Sequence, residues 1–260
     1  GDDWEAVNWF RKAAEQGHVT AQFNLGKAYL NSQGAPHSAR EAVKWFRKAA
    51  EQEHMTARFN LGAAYRVGYG VPESTQEAVR WYRKAAEQGH PRAQFNLGVA
   101  YRFGDGVSRN PQAAVEWYHK AAEQGDMLAQ FNLGLSYARG TGVLRNLQTA
   151  ASWYHKAAEQ GLACAQNSLA VCHDNGTGVP RNPRTAVKWY RKATEQSDAD
   201  AQFNLGLSYI NGAGVPRNPR TAAQWFRKAA DQDDAAAQYN LGVLYSDGRG
   251  VPRTPQTAVK

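Results

Sequence analysis

Hydrophobic residues recur along this chain at helical spacing, in two blocks that alternate with each other. One block reads A-Q-F-N-L-G-x-x-Y, as at residues 93–101, and the other reads A-V-x-W-Y-x-K-A-A-E-Q, as at residues 78–88. At about 100° per residue, apolar side chains cluster on one side of each block and polar side chains on the other, which is typical of an amphipathic helix. We therefore expect a first and a second helix that alternate along the chain.

Both blocks repeat every 36 residues without insertion or deletion, and tryptophan marks the period at residues 9, 45, 81, 117, 153, 189 and 225. A fixed period of this length indicates a stacked array of helix pairs. We expect one array over residues 1–260, which opens at 1–17 with the second helix of a preceding repeat and closes with a partial repeat at 234–260. The full repeats are expected at 18–53, 54–89, 90–125, 126–161, 162–197 and 198–233.

The connections between the blocks contain helix-capping residues. A G-x-G-V motif follows the first helix, and glycine just past a helix end readily adopts the left-handed cap conformation. Asn-Pro at residues 110–111, 182–183 and 218–219 indicates an N-cap followed by proline at the first helical position. The S-x-x-E sequences at 38–41 and 74–77 indicate capping boxes. We expect Gly26 to allow two backbones to approach closely, and three aspartates to cap first helices: Asp126, Asp198 and Asp234.

The combined pattern A-x-x-x-L-G-x-x-Y-x-x-G-x-G-V and A-x-x-W-Y-x-K-A-A-x-x-G resembles the Sel1-like repeat family, a relative of the tetratricopeptide repeat, over essentially the whole chain. The resemblance implies an all-α, right-handed superhelical α-solenoid of antiparallel helix pairs, with the first helices lining a concave face. Repeat five departs most from the pattern and is expected to be either the least stable repeat or a functional one; its departures are Asn167, Ser168, Ala170 and His173.

Neither end of the chain resembles the polar capping repeat that such arrays normally need, so we expect the protein to continue beyond both ends. A further helix is predicted to begin at residues 255–260. No segment approaches the ~20 apolar residues of a membrane span. We therefore expect no membrane insertion by this segment, while a signal peptide or an anchor outside it stays open.

The net charge of +8 raises the question of nucleic-acid binding. The basic residues, however, recur at fixed registers of the second helix and of the loops, which favours a solvated surface copied with each repeat. No aromatic and basic pattern of a known nucleic-acid module accompanies them. The expected partner is therefore a protein and not a nucleic acid.

No group of residues predicts catalysis, a metal site or a cofactor. Cys164 and Cys172 fall within one predicted helix, about 12 Å apart by helical rise. This is too far for a disulfide, so two buried free thiols are expected. His18, His54 and His90 share a register but lie about one helix spacing apart, ~8–10 Å, beyond the reach of a shared ligand. A group of carboxylates at a helix junction indicates capping and exposed residues: Asp231, Asp233 and Asp234.

Candidate partner-binding residues lie on the side of the first helices opposite their apolar core positions. An aromatic residue recurs at one position of six of the seven first helices, and the positions seven and eight residues later vary between repeats. Variation beside a fixed apolar row is what a partner-specific groove shows. Packing between neighbouring first helices is the alternative explanation for the aromatic row. The candidates are Phe59, Arg66, Phe95, Arg102, Phe103, Phe131, Arg139, Asp174, Asn175, Phe203, Ile210 and Tyr239.

Charge along this side is uneven, with arginines in the middle repeats and aspartates later. A partner with an acidic patch against the middle repeats, and a basic or neutral one toward the C-terminal end, would complement it. We expect a non-catalytic module, monomeric when unbound and without a cofactor, that binds a partner protein in its concave groove. The resemblance implies, most concretely, a bacterial immunity-type inhibitor of a secreted, lipase-like effector. The alternative is an adaptor or scaffold in a bacterial envelope, signalling or virulence pathway. The compartment stays open, although an inhibitor would favour the periplasm.

Overall fold

The computed structural model describes residues 2–250, and these residues form fourteen α-helices and no strand. Odd-numbered helices contain the second block and even-numbered helices the first block, which confirms the predicted all-α class. The helix predicted at 255–260 lies outside the described residues. The helices are α1 (Asp2–Glu15), α2 (Val19–Asn31), α3 (Ala39–Glu51), α4 (Met55–Val67), α5 (Thr75–Glu87), α6 (Pro91–Phe103), α7 (Pro111–Glu123), α8 (Met127–Arg139), α9 (Leu147–Glu159), α10 (Ala163–Asn175), α11 (Pro183–Thr194), α12 (Ala199–Asn211), α13 (Pro219–Ala230) and α14 (Ala235–Asp247).

Packing divides the described residues into two compact units. Unit one runs to residue 129 and includes 141–143, so it contains α1–α7; unit two contains 130–140 and the residues from 144 onward, so it contains most of α8 and α9–α14. In unit one each helix packs against the next one along the chain, and the same is true from α9 to α14 in unit two. Consecutive helix pairs of a solenoid-type repeat are therefore present in both units.

The core of each repeat is built from one leucine and many alanines. The leucine of the L-G pair is fully or almost fully buried in six first helices: Leu25, Leu61, Leu97, Leu133, Leu169 and Leu205. The glycine beside it is required for space, because a Cβ on Gly26 would lie 2.7 Å from the ring of Phe46 and 3.2 Å from the backbone oxygen of Ala42. The sequence predicted a close backbone approach here, and the structure shows that the tightest contact is with an aromatic ring.

The predicted caps are present. Asn110 Oδ1 accepts a hydrogen bond from the Ala113 amide at 3.0 Å, and Asp126 Oδ1 accepts one from the Ala129 amide at 2.9 Å. Ser38 Oγ accepts one from the Glu41 amide. The second bond of the predicted capping box is absent, because the Ser38 amide donates to the Tyr29 carbonyl at 3.0 Å and the Glu41 carboxylate forms a salt bridge with Lys44 at 3.2 Å.

The two glycines of the G-x-G-V loop have different tasks. Gly104 ends α6 in the left-handed conformation at a φ of 83°. Gly106 is also left-handed, and a Cβ added there would overlap the backbone carbonyl of Thr75 at the start of α5. The first glycine therefore caps its helix, and the second lets the loop pack against the preceding repeat.

Candidate protein-binding surface

The candidate residues occupy three positions of the first helices: the aromatic position, and the positions seven and eight residues later. We name these residues the first-helix surface of each unit. In unit one they are Phe23, Leu30, Asn31, Phe59, Arg66, Val67, Phe95, Arg102 and Phe103; in unit two they are Phe131, Ala138, Arg139, Asn167, Asp174, Asn175, Phe203, Ile210, Asn211, Tyr239, Ser246 and Asp247.

The aromatic position mainly packs against the second helix of its own repeat. The ring centroid of Phe59 lies 5.8 Å from that of Tyr82 on the following second helix, and Phe59 also stacks on His90 at 4.5 Å. Each of three further phenylalanines packs in the same way on the following second helix and is half-buried: Phe95, Phe131 and Phe203. These contacts favour the packing explanation for the aromatic row. Tyr239, on the last described helix, is 72% exposed.

Histidine caps the first helices of unit one, which the sequence analysis did not predict. Nδ1 of His54 accepts a hydrogen bond from the Ala57 amide at 3.2 Å, while its ring stacks on Phe23 with a centroid distance of 4.4 Å. His18 and His90 cap α2 and α6 in the same way. Burial lowers the pKa of both His54 and His90, partly opposed by a backbone hydrogen bond. The sequence signal for these caps was the place of the histidines in the repeat, because aspartate stands at the same place in later repeats, at positions 126, 198 and 234.

The position seven residues after the aromatic one holds a side chain beside the following second helix. Arg66 lies against the hydroxyl of Tyr82: burial raises the pKa of that phenol, whereas the charge of Arg66 and hydrogen bonds from Asn96 and Arg66 partly lower it. Arg102 has the same relation to Tyr118. In unit two, Ala138 holds this position after Phe131, and Arg139 at the next position partly opposes the burial that raises the pKa of Tyr154 to about 12.

Part of the variation at this position follows from these contacts. Where the second helix has phenylalanine, the first helix has an aliphatic residue: Leu30 lines one cleft with Phe46, and Ile210 packs in the cluster that contains Phe226. Where the second helix has tyrosine, the position holds arginine, alanine or aspartate. Asp174 lies close enough to Tyr190 to add to the rise in its pKa, whose larger cause is burial. The variability therefore has an intramolecular cause as well as the predicted intermolecular one.

The position eight residues after the aromatic one points into solvent. Val67 is 69% exposed and Phe103 is 62% exposed, and Arg139 and Asn175 are also exposed. The guanidinium of Arg102 lies 5.2 Å from the ring centroid of Phe103. Large exposed apolar side chains that lie together with charged ones are typical of interaction sites.

Two clefts open between successive first helices of unit one. The cleft between α2 and α4 has a volume of about 190 Å³, and its walls are almost entirely apolar. They include Leu30, Val43, Phe46, Ala63 and Val67. The cleft between α4 and α6 has a volume of about 50 Å³ and is polar at one side; Arg66, Tyr82, Asn96 and Asp105 are among the residues that line it. Equivalent positions in neighbouring repeats therefore offer different chemistry.

Most basic residues outside the first-helix surface have intramolecular partners. Arg47 donates a hydrogen bond to the Tyr65 hydroxyl at 2.6 Å, and Lys48 Nζ lies 4.4 Å from the Trp45 ring centroid. The same pairings recur in other repeats, as between Arg191 and Tyr209. In the loops, four arginines donate from Nε to the backbone carbonyl seven residues earlier: Arg109, Arg145, Arg181 and Arg217. These regular basic rows therefore stabilise the fold.

Two arginines near the first-helix surface are also engaged. Arg58 donates from Nε to the Ala50 carbonyl at 3.1 Å and pairs with Glu53 at 3.4 Å. Arg92 pairs with Asp126 at 3.6 Å. The positive charge at the first-helix surface of unit one therefore comes mainly from Arg66 and Arg102, which belong to it, and from Lys27, which lies beside it on α2.

Hydrogen bonds of glutamine side chains connect successive repeats, and we name this set the glutamine ladder. It was not predicted from the sequence. Nε2 of Gln124 donates to Oε1 of Gln94 at 2.7 Å, and Nε2 of Gln94 donates to the buried Ala86 carbonyl at 3.1 Å. Related bonds join Gln52 to Gln22 and Gln232 to Gln202. The signal was the recurrence of glutamine in both blocks, which now has a structural explanation.

The two cysteines differ from each other in exposure. Cys172 is buried as predicted, but Cys164 is only half-buried because it lies in the first turn of α10. Burial raises the pKa of both thiols, so both are mainly protonated at neutral pH and poorly nucleophilic. Within residues 2–250, no group of three or more histidine, cysteine, aspartate or glutamate residues is arranged to hold a metal ion. The helices of the described part are too short or too polar to cross a membrane.

Comparison with protein families finds the Sel1 repeat along the chain, at residues 2–18, 19–54, 56–90, 91–126, 128–162, 165–198, 199–234 and 235–260. A comparison with curated proteins finds no match.

Solved structures include close relatives. A protective antigen of uropathogenic Escherichia coli with an SLR fold, c5321, is 40% identical with a TM-score of 0.91, over 96% of this chain and 54% of that protein. This chain thus spans about half the length of that relative. A Sel1 repeat protein from Oxalobacter formigenes is 37% identical with a TM-score of 0.78, over 97% of this chain and 73% of its own. The immunity protein Pa5087 from Pseudomonas aeruginosa is 23% identical with a TM-score of 0.45, over 83% and 82% of the two chains, which is too distant to bear on function.

Proposed function

Because this chain belongs to the Sel1 repeat family, whose members typically serve as protein-interaction modules, we propose that it is a non-catalytic module that binds a partner protein through its first-helix surface. This is the side that tetratricopeptide-like arrays present as their concave face. The proposal rests on the position eight residues after the aromatic one, which points into solvent. Val67 and Phe103 are mostly exposed there, and each follows an arginine in the sequence. Exposed apolar surface with a polar rim is a feature of interaction sites.

We further propose that the partner is one specific protein, and that the role is that of an immunity-type inhibitor of a secreted, lipase-like effector. The first-helix surface supports a single partner because its residues differ from repeat to repeat. Such a composite surface discriminates between partners, since each local contact must be matched at its own position. An adaptor that holds several related proteins would be served by equivalent sites in several repeats.

Charge reversal tests the use of this surface. The wild-type chain is first used as bait to capture its partner protein. The variant Arg66→Glu/Arg102→Glu/Arg139→Glu should then bind that partner with an affinity at least about tenfold lower, because like charges across an interface repel each other. The matched control is Arg40→Glu/Arg80→Glu/Lys188→Glu, which makes the same change in charge at exposed positions of second helices.

The control should bind like the wild type, and both variants should keep nearly the wild-type melting temperature. Equal binding by the wild type and the first-helix variant would contradict the proposed surface. The same complexes decide between the two roles. One stoichiometric enzyme that loses activity when bound supports an inhibitor, whereas several partners with intact activities would identify an adaptor instead.

A further inference from the structure

We propose that the first-helix surface of unit one binds a partner segment in which carboxylates flank one apolar side chain. This inference rests on the proposed function and deepens it, because it gives the chemistry of the partner at one defined part of the surface. It follows from the charge of three helices, the placement of two guanidinium groups and the apolar walls of one cleft.

The charge of the first helices in unit one has a single sign. Helices α2, α4 and α6 contain five basic residues and no aspartate or glutamate: Lys27, Arg58, Arg66, Arg92 and Arg102. Arg58 and Arg92 are paired with acidic residues outside these helices, as described above. Acidic residues from outside these helices share clefts with two of the other three basic residues: Asp105 lines one cleft with Arg66, and Asp3 lines another with Lys27.

The opposite holds in the last three first helices of unit two, although Arg139 of α8 is basic. Each of the helices α10, α12 and α14 contains one aspartate, and none contains lysine or arginine. Carboxylates of a partner are therefore attracted to the first-helix surface of unit one and repelled by those three helices.

The two arginines of this surface lie against other side chains. Arg66 lines one cleft together with Tyr82 and Asn96, and Arg102 lies beside the Phe103 ring and near the Tyr118 hydroxyl. The planar fork of donors of a guanidinium matches the two oxygens of a carboxylate.

An apolar side chain fits beside these charges. The cleft between α2 and α4 has a volume of about 190 Å³, whereas an apolar cavity of about 150 Å³ already accommodates a benzene molecule. Val67 lines this cleft and is 69% exposed. Arg66 precedes Val67 in α4 and lines the neighbouring cleft between α4 and α6. A partner segment that places an apolar side chain in the first cleft and crosses α4 therefore brings its next residues toward the guanidinium.

Selection from a phage-displayed library of random dodecapeptides on the purified chain tests this inference. The selected peptides should be enriched in aspartate and glutamate around one leucine, isoleucine or phenylalanine. A synthetic peptide of the selected sequence should bind about tenfold more weakly to Arg66→Gln/Arg102→Gln and to Val67→Asn. Its affinity should also fall when NaCl is raised from about 0.05 M to about 0.5 M, because salt screens exposed charges.

Two controls match these variants in chemistry. Arg80→Gln removes a charge from a second helix of the same unit, where the side chain is 62% exposed. Leu144→Asn removes an apolar side chain that is 90% exposed in a loop. Both should bind the peptide like the wild-type chain. Circular dichroism should show the same helix content for all variants.

The possible results separate the inference from the proposed function. Selected peptides that are basic or uncharged, yet lose affinity with Val67→Asn, would overturn the acidic chemistry and leave the surface in use. Peptides that bind all variants equally would contradict both. A selection with no enrichment over the empty support would overturn the inference, while the captured partner would still report on the proposed function.

Discussion

The histidine caps of unit one make its stability depend on pH. His54 and His90 accept hydrogen bonds through Nδ1 from the amides of Ala57 and Ala93, both at 3.2 Å. Protonation converts that nitrogen from an acceptor to a donor, so it removes the cap and places a positive charge at a helix N-terminus. A lost N-cap costs about 1 kcal/mol, and a cation at this end of the helix dipole adds at least ~0.3 kcal/mol. The two sites together should cost roughly 2–3 kcal/mol.

The direction of the pH dependence follows from the pKa of both histidine rings, which burial lowers in the folded state. Between that pKa and the ordinary value of about 6.5, the unfolded chain binds more protons than the folded one. The stabilisation by the two histidine caps is therefore fully present above about pH 6.5, and it is lost as the pH falls through the folded-state pKa.

The assay is urea unfolding followed by circular dichroism at about pH 7.5 and about pH 5. The matched variant is His54→Asn/His90→Asn, because asparagine is an equally good cap that does not titrate. Asparagine already caps four second helices of this chain: α7, α9, α11 and α13. The wild type should lose more stability on acidification than the variant, by roughly 2–3 kcal/mol. Equal losses in both proteins would refute the reasoning, whatever their stabilities at neutral pH.

Three further substitutions probe the packing, each read out by the free energy of unfolding. Leu133→Ala should cost about 2–5 kcal/mol, since this side chain is fully buried; a cost below about 1 kcal/mol would contradict the tight core. Gly98→Ala should destabilise by about 1–3 kcal/mol despite the better helix propensity of alanine, because its Cβ would lie 2.7 Å from the Tyr118 ring; a more stable variant would show that the ring can move aside. Gln94→Ala should cost about 1–3 kcal/mol by removing two hydrogen bonds, one to the Ala86 carbonyl and one from Gln124. The exposed Gln238→Ala, at the same register, should cost much less, and equal costs would argue against the ladder.

The sequence predicted those features that depend on neighbours within one turn or on the period. The helix pairs and the caps at Asn110 and Asp126 are of this kind, because a cap bonds an amide three residues later. Apart from the histidine caps, which bond an amide three residues later, the features that it missed join residues far apart in the chain. Gln124 and Gln94 are 30 residues apart, and the pattern showed that glutamine recurs without showing what it contacts.

The candidate surface shows the same limit. Arg66 was predicted from its variability alone, and its relation to Tyr82 became visible only when α4 and α5 were placed side by side. The aromatic row could not be assigned from the sequence, because a phenylalanine on an exposed side and one that packs on the following second helix have the same register. Phe103 stays a prediction as a partner contact, and its side chain is exposed as that role requires.

Hydroxyl-radical footprinting of the chain with its captured partner tests the central claim most directly, since the oxidation rate of a side chain reports its exposure. Phe103 on the first-helix surface is 62% exposed, and Leu144 in a loop is 90% exposed. If the partner binds through the first-helix surface, oxidation of Phe103 should fall strongly in the complex while that of Leu144 stays unchanged. Unchanged oxidation of Phe103, with protection of Leu144 or of exposed second-helix residues, would contradict the account.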